Sequence, residues 1–286
     1  MKGFHALTLS LLLLVLPLRQ SVPAGGFFFI QLSDPQFGFS NNDVDFVQDT
    51  ANAEFAVATV NRLKPEFVIV TGDLVNKAGD AAQIAEYERI MAKVDRSIPL
   101  YNVAGNHDIG NEPTPATIAA YRARFGRDYY TFRHGPLFGI VLNSTVIHSP
   151  QNVASELDEQ DRFLREQLDG AASSGARHVV IFQHHPWFLE RADEADSYYN
   201  IPRIRRDPLL ALFREKGVRM LVSGHLHRST EATDAGLHSV VTGPVGRPLG
   251  NGVQSGFRIF VVTDAEITSR YYGFGEIPRL RESIFQ

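Results

Sequence analysis

The residues of this chain that are best suited to chemistry stand in short turns that follow apolar runs. The clearest turn is Gly-Asn-His-Asp at residues 105–108, which follows the apolar run 98–104. The run predicts a short buried strand, and Gly105 permits the sharp turn that ends it. Each of the three polar side chains after Gly105 can bind a metal ion or move a proton. Four other turns share this design, and they contain Asp34, Asp73, His184, and the pair His225 and His227.

Together these turns supply a set of metal ligands with only oxygen and imidazole donors. Two carboxylates, one amide and three histidines suit Mn, Fe, Zn or Mg rather than a thiophilic metal. The set is too large for one four-coordinate ion and about right for two divalent ions that share a carboxylate. His225 and His227 face the same way in extended backbone, so each can serve one of two neighbouring ions. The candidate ligands are Asp34, Asp73, Asn106, His184, His225 and His227.

Strands that alternate with helices must position these turns. Apolar runs predict strands at 27–33, 67–71, 98–104, 129–133, 137–142, 178–182, 218–223, 237–242, 257–263 and 266–272. Helical spacing predicts helices at 45–63, 81–94, from 114 onward, at 155–167 and at 207–215. Pro115 suits a first helical turn, and Ser155 with Asp158 predicts a capping-box-like start for the fourth helix.

This order of elements predicts an α/β (mixed α+β) fold. Strands alternating with helices favour parallel pairing, while the late strands, with no helix between them, add antiparallel pairs. We expect a four-layer αββα sandwich of two mixed sheets flanked by helices, in one domain over residues 25–286. Open α/β sheets bind ligands at the carboxyl ends of their strands, so the five turns should meet at one edge.

Composition limits the possible functions. The chain has 286 residues, 44% of them hydrophobic, and no cysteine, which excludes a disulfide framework and thiolate metal ligands. Without residues 1–24, which hold Lys2, Arg19 and no acidic residue, the formal charge of −4 becomes −6. A mildly acidic chain without a basic stripe argues against nucleic acid as the main partner. A phosphorylated substrate is compatible, because bound cations would dominate the local field.

The N-terminal segment predicts a cleaved signal peptide over residues 1–24. Lys2 carries a positive charge, residues 6–18 are an apolar run, and Val-Pro-Ala at 22–24 resembles a small-residue cleavage site. The run is short for a stable membrane span, which needs ~20 apolar residues. The alternatives are a buried helix or a membrane anchor. We therefore expect a secreted or periplasmic protein, with a cytoplasmic location as the alternative.

The order of the motifs resembles the calcineurin-like metallophosphoesterase family. The family pattern is Asp-x-His, Gly-Asp, Gly-Asn-His-Asp/Glu, a single His and Gly-His-x-His. This chain has Asp-Pro-Gln at 34–36, Gly-Asp at 72–73, residues 105–108, His184 and Gly-His-Leu-His at 224–227, in that order. Residues 34–38, 94–100, 105–111 and 198–200 resemble a narrower subgroup of serine/threonine phosphatases, and the resemblance runs from about residue 28 to 272.

The resemblance implies a role for each candidate ligand. Asp73 would bridge two divalent metal ions. In the family's His-x-Pro motif the first histidine is the ligand, which selects His184 over His185. The first ion would be held by Asp34 and His227, and the second by Asn106, His184 and His225. Gln36 stands where most of the family has a histidine ligand, and its neutral oxygen predicts a looser first site that a chelator strips easily.

The resemblance also implies a mechanism. Two ions ~3.5–4 Å apart would bind a bridging hydroxide that attacks phosphorus. His107 would protonate the leaving alkoxide, with Asp108 orienting the imidazole. We expect a phosphomonoesterase acting on a small phosphate ester or a phosphoprotein. The alternatives are a phosphodiesterase acting on cyclic nucleotides or glycerophosphodiesters, and a metal-binding protein whose activity has decayed through Gln36.

Overall fold

Two mixed β-sheets form the centre of the fold. The computed structural model describes residues 26–285, apart from the side chain of Ala172, so the expected signal peptide lies outside the described residues. Within this range the strands are β1 (Phe27–Leu32), β2 (Val68–Thr71), β3 (Leu100–Val103), β4 (Tyr130–His134), β5 (Leu137–Val141), β6 (His178–Phe182), β7 (Met220–Ser223), β8 (Thr230–Asp234), β9 (Leu237–Val241), β10 (Gly256–Val262) and β11 (Ile267–Gly273). The predicted mixed α/β class is confirmed.

Helices flank the two sheets. They are α1 (Val47–Leu63), α2 (Ala81–Met91), α3 (Asn106–Ile109), α4 (Pro115–Phe125), α5 (Ser144–His148), α6 (Ala154–Ser173) and α7 (Arg203–Glu215), with short 3₁₀ turns at Phe39–Asn41 and Arg281–Phe285. None of these helices is long and apolar enough to cross a membrane.

Each sheet combines parallel and antiparallel strand pairs: the first is antiparallel on its β10–β11 side, and the second is antiparallel at both edge strands, β4 and β8. The first sheet has the order β11-β10-β1-β2-β3, and the second has the order β4-β5-β6-β7-β9-β8. β1, β2 and β3 are parallel neighbours, as are β5, β6, β7 and β9. The parallel strands therefore end at a common edge within each sheet, as the sequence predicts.

An aromatic core joins the inner faces of the two sheets. Phe29 of β1 stacks on Phe67 and on Phe260 of β10, at 4.5 Å between ring centroids in both cases. Phe182 of the second sheet meets the same ring edge-on at 5.9 Å. Phe28 points the other way, into the core shared with the helices. Because both faces of β1 are covered, its sequence is almost entirely apolar.

Several local features differ from the sequence predictions. The capping box at Ser155 is wrong: α6 begins after Val153, whose buried side chain makes no cap hydrogen bond. α7 begins at Arg203 rather than residue 207. The sequence does not predict this early start, because the first turn of α7 is mainly charged and shows little apolar spacing. β8 was not predicted, since its side chains alternate between half-buried and exposed and are mainly polar. Residues 105–108 are predicted as a turn, whereas Asn106–Ile109 form the one-turn helix α3, and the sequence predicts no element at α5. The cap of α4 by Thr114, just before Pro115, agrees with the prediction.

Candidate metal centre

The predicted ligands stand directly after parallel strands. Asp34 follows β1, Asp73 follows β2, and Asn106 opens α3 just after β3. His184 follows β6, and the pair His225 and His227 follows β7. All six side chains are buried, at 5% exposure or less. The two sheets thus present their ligand-bearing turns to each other at one edge of the sandwich.

The ligand atoms form two clusters that share one carboxylate. The first cluster is Asp34, Asp73 and His227, and the second cluster is Asp73, His184 and His225. In each cluster the donor atoms lie within 4.8 Å of one another. Two overlapping groups of this kind are what the sequence predicts for two ions that share Asp73.

Asn106 adds a fourth donor to the second cluster. Nε2 of His184 lies 3.2 Å from Oδ2 of Asp73 and 3.0 Å from Oδ1 of Asn106. The same nitrogen lies 3.1 Å from Nδ1 of His225. In the first cluster, Nε2 of His227 lies 3.6 Å from Oδ1 of Asp34. Four donors of the second cluster therefore converge on one point, and the first cluster is more open.

Backbone carbonyls orient the three imidazoles. Nδ1 of His184 donates to Thr71 O at 2.8 Å, and Nδ1 of His227 donates to Arg247 O at 2.6 Å. Nε2 of His225 donates to the carbonyl of Tyr198 at 3.1 Å. A carbonyl only accepts, so in each contact the ring nitrogen facing the carbonyl carries a hydrogen and the other nitrogen is directed toward the cluster. This arrangement is typical of metal-binding histidines.

Gln36 presents an oxygen that has no partner among the described residues. Its Oε1 is buried without a hydrogen bond, while its Nε2 donates to Oδ1 of Asn76 at 3.1 Å. A buried polar atom left unpaired costs about 1–3 kcal/mol. Gln36 lines the same pocket as Asp73 and His227, so a cation at the first cluster would satisfy this oxygen. The residues present therefore fit a metal ion.

Backbone strain is concentrated at the same residues. Asp34, Gln36, Asp73, His225 and His227 all have positive φ angles, between 38° and 70°. Only nine non-glycine residues in the described part of the chain adopt such angles, so the predicted ligands account for more than half. Strained conformations of this kind cost of order 1–3 kcal/mol each and cluster at functional sites.

Motif glycines make room for the ligands. A Cβ atom on Gly105 would lie 2.2 Å from Oδ1 of Asp73, and one on Gly224 would lie 2.6 Å from Oδ2 of Asp34. Gly72 has a φ of 87°, and a Cβ there would lie 2.4 Å from Nδ1 of His184. The glycines before Asp73, Asn106 and His225 therefore each allow a different turn to approach.

Buried charges shift the pKa values in the centre. Burial raises the pKa of Asp34, whereas the neighbouring His184 outweighs burial at Asp73 and lowers its pKa below the usual range. Burial alone would lower the pKa of His184, but the Asp73 carboxylate raises it to about 9. Burial and then the charge of His184 lower the pKa of His225 to about 3. The Asp73 carboxylate thus stays charged at the point where the two clusters meet and attracts positive charge, which suits a divalent cation.

His107 lies beside the clusters, but its ring has a different partner from the one expected. Its backbone N–H donates to Oδ1 of Asp73 at 2.9 Å, and its Nδ1 donates to Asn76 O at 2.7 Å. Asp108 instead accepts backbone N–H groups from Leu74, Val75 and Gly105. Burial, followed by the charge of Asp73, raises the pKa of Asp108 to about 8. Asp108 therefore ties two ligand turns together, and the Asn76 carbonyl orients His107.

Comparison with known proteins identifies the family. A profile of calcineurin-like phosphoesterases matches residues 29–229. The chain belongs to the calcineurin-like phosphoesterase family. It is therefore a metal-dependent phosphoesterase, as the sequence predicts, and the family implies divalent metal ions.

Relatives within the family include serine/threonine phosphatases. The serine/threonine-protein phosphatase CPPED1 of Bos taurus is 38% identical over 268 residues, covering 88% of this chain and 85% of that protein. CPPED1 of Homo sapiens is 38% identical over 275 residues, covering 91% and 87%. The resemblance to this subgroup is confirmed. A dimetal phosphatase structure from Danio rerio shares the fold, with a TM-score of 0.59, 15% identity, and coverage of 86% of this chain and 99% of that one.

A small pocket opens onto the clusters of this phosphoesterase. Its volume is about 140 Å³, and its polar side is formed by Gln36, Asp73, His107, His225 and His227. Phe39, Tyr198, Tyr199 and Leu249 form its apolar rim. The rim therefore comes partly from the tyrosine-rich loop after His184 and partly from the glycine-rich segment after residue 246. Asn76 and the rim residue Phe39 belong to no sequence motif. Their roles depend on contacts with distant parts of the chain, which the sequence does not reveal.

His185 does not line this pocket. It is buried, its Nδ1 lies 3.0 Å from the Ser144 hydroxyl, and its ring stacks on His148 at 4.8 Å between centroids. Of the adjacent pair, only His184 contributes a donor atom to the clusters, and His185 packs against the His225 ring at 4.4 Å between centroids.

Proposed function

We propose that the chain hydrolyses phosphate monoesters with two divalent metal ions bound at the two clusters. The observation that carries this proposal is the sharing of Asp73 by two converging donor sets. When bound, the ions supply Lewis-acid activation of water and of the phosphoryl oxygens. The first ion would be held by Asp34, Gln36, Asp73 and His227, and the second by Asp73, Asn106, His184 and His225.

His107 acts as the general acid in this proposal. Its Nδ1 hydrogen is held by the Asn76 carbonyl, so Nε2 is the nitrogen that gains and loses a proton. The ring lines the pocket beside Asp73, where the substrate's phosphoryl group would lie. Proton donation from Nε2 lets the alcohol leave as a neutral molecule rather than an alkoxide.

A phosphorylated serine or threonine side chain is the substrate class that we favour. The CPPED1 relatives, at 38% identity over most of the chain, are named for this activity. The pocket of about 140 Å³ is smaller than the ~300–1,000 Å³ typical of pockets that enclose a drug-sized ligand. Groups beyond the phosphoryl would therefore lie along the rim, as a protein surface or a small ester can do.

Hydrolysis of p-nitrophenyl phosphate and of bis-p-nitrophenyl phosphate tests the proposal. We expect Mn-dependent turnover of the monoester, slower turnover of the diester, and loss of both in Asp73→Asn, which removes the shared carboxylate charge. Faster turnover of the diester would favour a phosphodiesterase. Metal binding without turnover of either compound would favour a binding protein.

A further inference from the structure

One residue of the pocket rim contacts two of the four donors of the second cluster. The hydroxyl of Tyr198 accepts a hydrogen bond from Nδ2 of Asn106 at 3.1 Å. The backbone carbonyl of Tyr198 accepts the hydrogen bond from Nε2 of His225 at 3.1 Å. Its ring also packs against the His225 ring, at 4.7 Å between centroids. Substrate contact alone does not require any of these three interactions.

The Tyr198 hydroxyl helps to determine which way the Asn106 amide faces. Nδ2 of Asn106 carries two hydrogens, and its second acceptor is Oδ1 of Asn111 at 2.9 Å. With both hydrogens engaged, Oδ1 of Asn106 must face the other way, toward Nε2 of His184 at 3.0 Å. A flipped amide would turn an NH₂ group toward the cluster, where it could not bind a cation.

The loop that carries Tyr198 is rigidly built. The Glu194 carboxylate accepts hydrogen bonds from the backbone N–H groups of Leu189, Glu190 and Arg191. It also accepts a hydrogen bond from Nδ2 of Asn200 at 2.8 Å. The fully buried Arg206 donates to the carbonyls of Trp187 and Glu194. These contacts fix both ends of the loop, so the position of Tyr198 is set before substrate or metal arrives.

We propose that Tyr198 is a positioning residue for the second metal site as well as part of the pocket rim. Its hydroxyl sets the orientation of the Asn106 amide, and its carbonyl sets the tautomer of His225. This inference rests on the proposed function, because it requires a metal ion at the second cluster. The loop that borders the substrate therefore also completes the metal site, so changes in the loop alter metal affinity.

Mn²⁺ titration by calorimetry on the full chain tests this inference without relying on turnover. Tyr198→Phe removes only the hydroxyl, and we expect one Mn²⁺ site to weaken by about 10-fold or more, as other partners of metal ligands do. Asn111→Ala removes the other acceptor of the same amide, at a residue that does not line the pocket, and should weaken the same site. Excess Mn²⁺ should restore kcat in Tyr198→Phe, because the lost hydroxyl weakens metal binding rather than the chemical step.

Tyr199→Phe is the matched control for metal affinity. Tyr199 is the next residue, 39% exposed against 48% for Tyr198, and none of the described side-chain hydrogen bonds involves its hydroxyl. It should keep wild-type Mn²⁺ affinity. Unchanged Mn²⁺ affinity in both Tyr198→Phe and Asn111→Ala, with KM raised in Tyr198→Phe alone, would overturn the positioning role and leave a rim residue. Failure of the wild type to bind Mn²⁺ would instead reject the proposed function.

Discussion

At the residue scale, the centre is defined by donors that already have one fixed contact. Three imidazoles donate to backbone carbonyls, and the Gln36 amide donates to Asn76. Each side chain therefore has one end held by the fold and the other free for a cation. Such fixed orientation reduces the entropy that ordering the ligands would cost on binding.

Gln36 predicts unequal metal retention at the two sites. Its neutral oxygen is a weaker donor than the histidine found in most of the family. Dialysis against a chelator should therefore remove the ion at the first cluster well before the ion at the second cluster. Gln36→His should slow the loss of that first ion. Metal content measured over time by mass spectrometry checks this prediction, and equal retention of two ions in the wild type would contradict it.

His107 predicts a dependence on the leaving group. General acids typically contribute ~10²–10⁴-fold, but only where the leaving oxygen needs a proton. His107→Ala should therefore slow an alkyl phosphate by about that factor and slow p-nitrophenyl phosphate far less, because p-nitrophenolate leaves readily. The comparison of kcat values for the two substrates is the measurement. Equal losses on both would assign the effect to something other than proton donation.

At the element scale, parallel strands and tight turns bring the ligands together. The turns after β1, β2 and β3 are neighbours because their strands pair in order, and the turns after β6 and β7 approach from the other sheet. Glycine at the start of the turns after β2, β3 and β7 allows backbone and ligand to approach more closely than a Cβ would permit. Packing of the turns is therefore as important as the identity of the ligands.

Two glycine substitutions should change stability in opposite directions. A Cβ at Gly105 would lie 2.2 Å from the Asp73 backbone nitrogen, so Gly105→Ala should lower the free energy of unfolding by about 1–3 kcal/mol. Gly170 lies in α6 with nothing within 4 Å of an added Cβ, so Gly170→Ala should raise it by about 0.5–1 kcal/mol. Chemical denaturation measures both. A stabilised Gly105→Ala would show that the turns have room to move apart.

At the scale of the whole molecule, the sandwich creates contacts between residues far apart in the chain. Asn106 and Tyr198 are separated by 92 positions, and Asp34 and His225 by 191, yet both pairs are hydrogen-bonded. The aromatic core between the sheets holds the two halves of the centre in register. The site therefore depends on correct packing of both sheets.

The N-terminal segment leads to a prediction about the location of the whole protein. We propose that residues 1–24 direct secretion and are cleaved after Ala24, so that the mature protein begins at Gly25. Expression of the full chain in a secreting host, followed by N-terminal sequencing of the exported protein, is the measurement. Retention inside the cell with Met1 intact would favour the cytoplasmic alternative.

The sequence by itself determined the ligand types, their order and the strands that precede them. A buried strand, a glycine and a polar turn are local features, so β6 was predicted at its observed bounds and β1 and β2 to within a residue. The parallel order of the strands follows from their alternation with helices. The local pattern and the strand order together predict, from the sequence alone, that Asp34, Asp73 and His184 lie at one edge.

Only the tertiary structure decided how these residues are oriented. The carbonyl that holds His107, the backbone groups that Asp108 accepts and the hydroxyl that holds Asn106 come from other turns, so no local pattern reports them. The sequence also does not predict the polar edge strand β8 or the early start of α7, because the apolar pattern of both segments is weak. Strand pairing and tertiary packing stabilise them in the folded chain. Spacing along a chain reveals which groups are available, but contacts between distant segments decide which atom of each group faces the site.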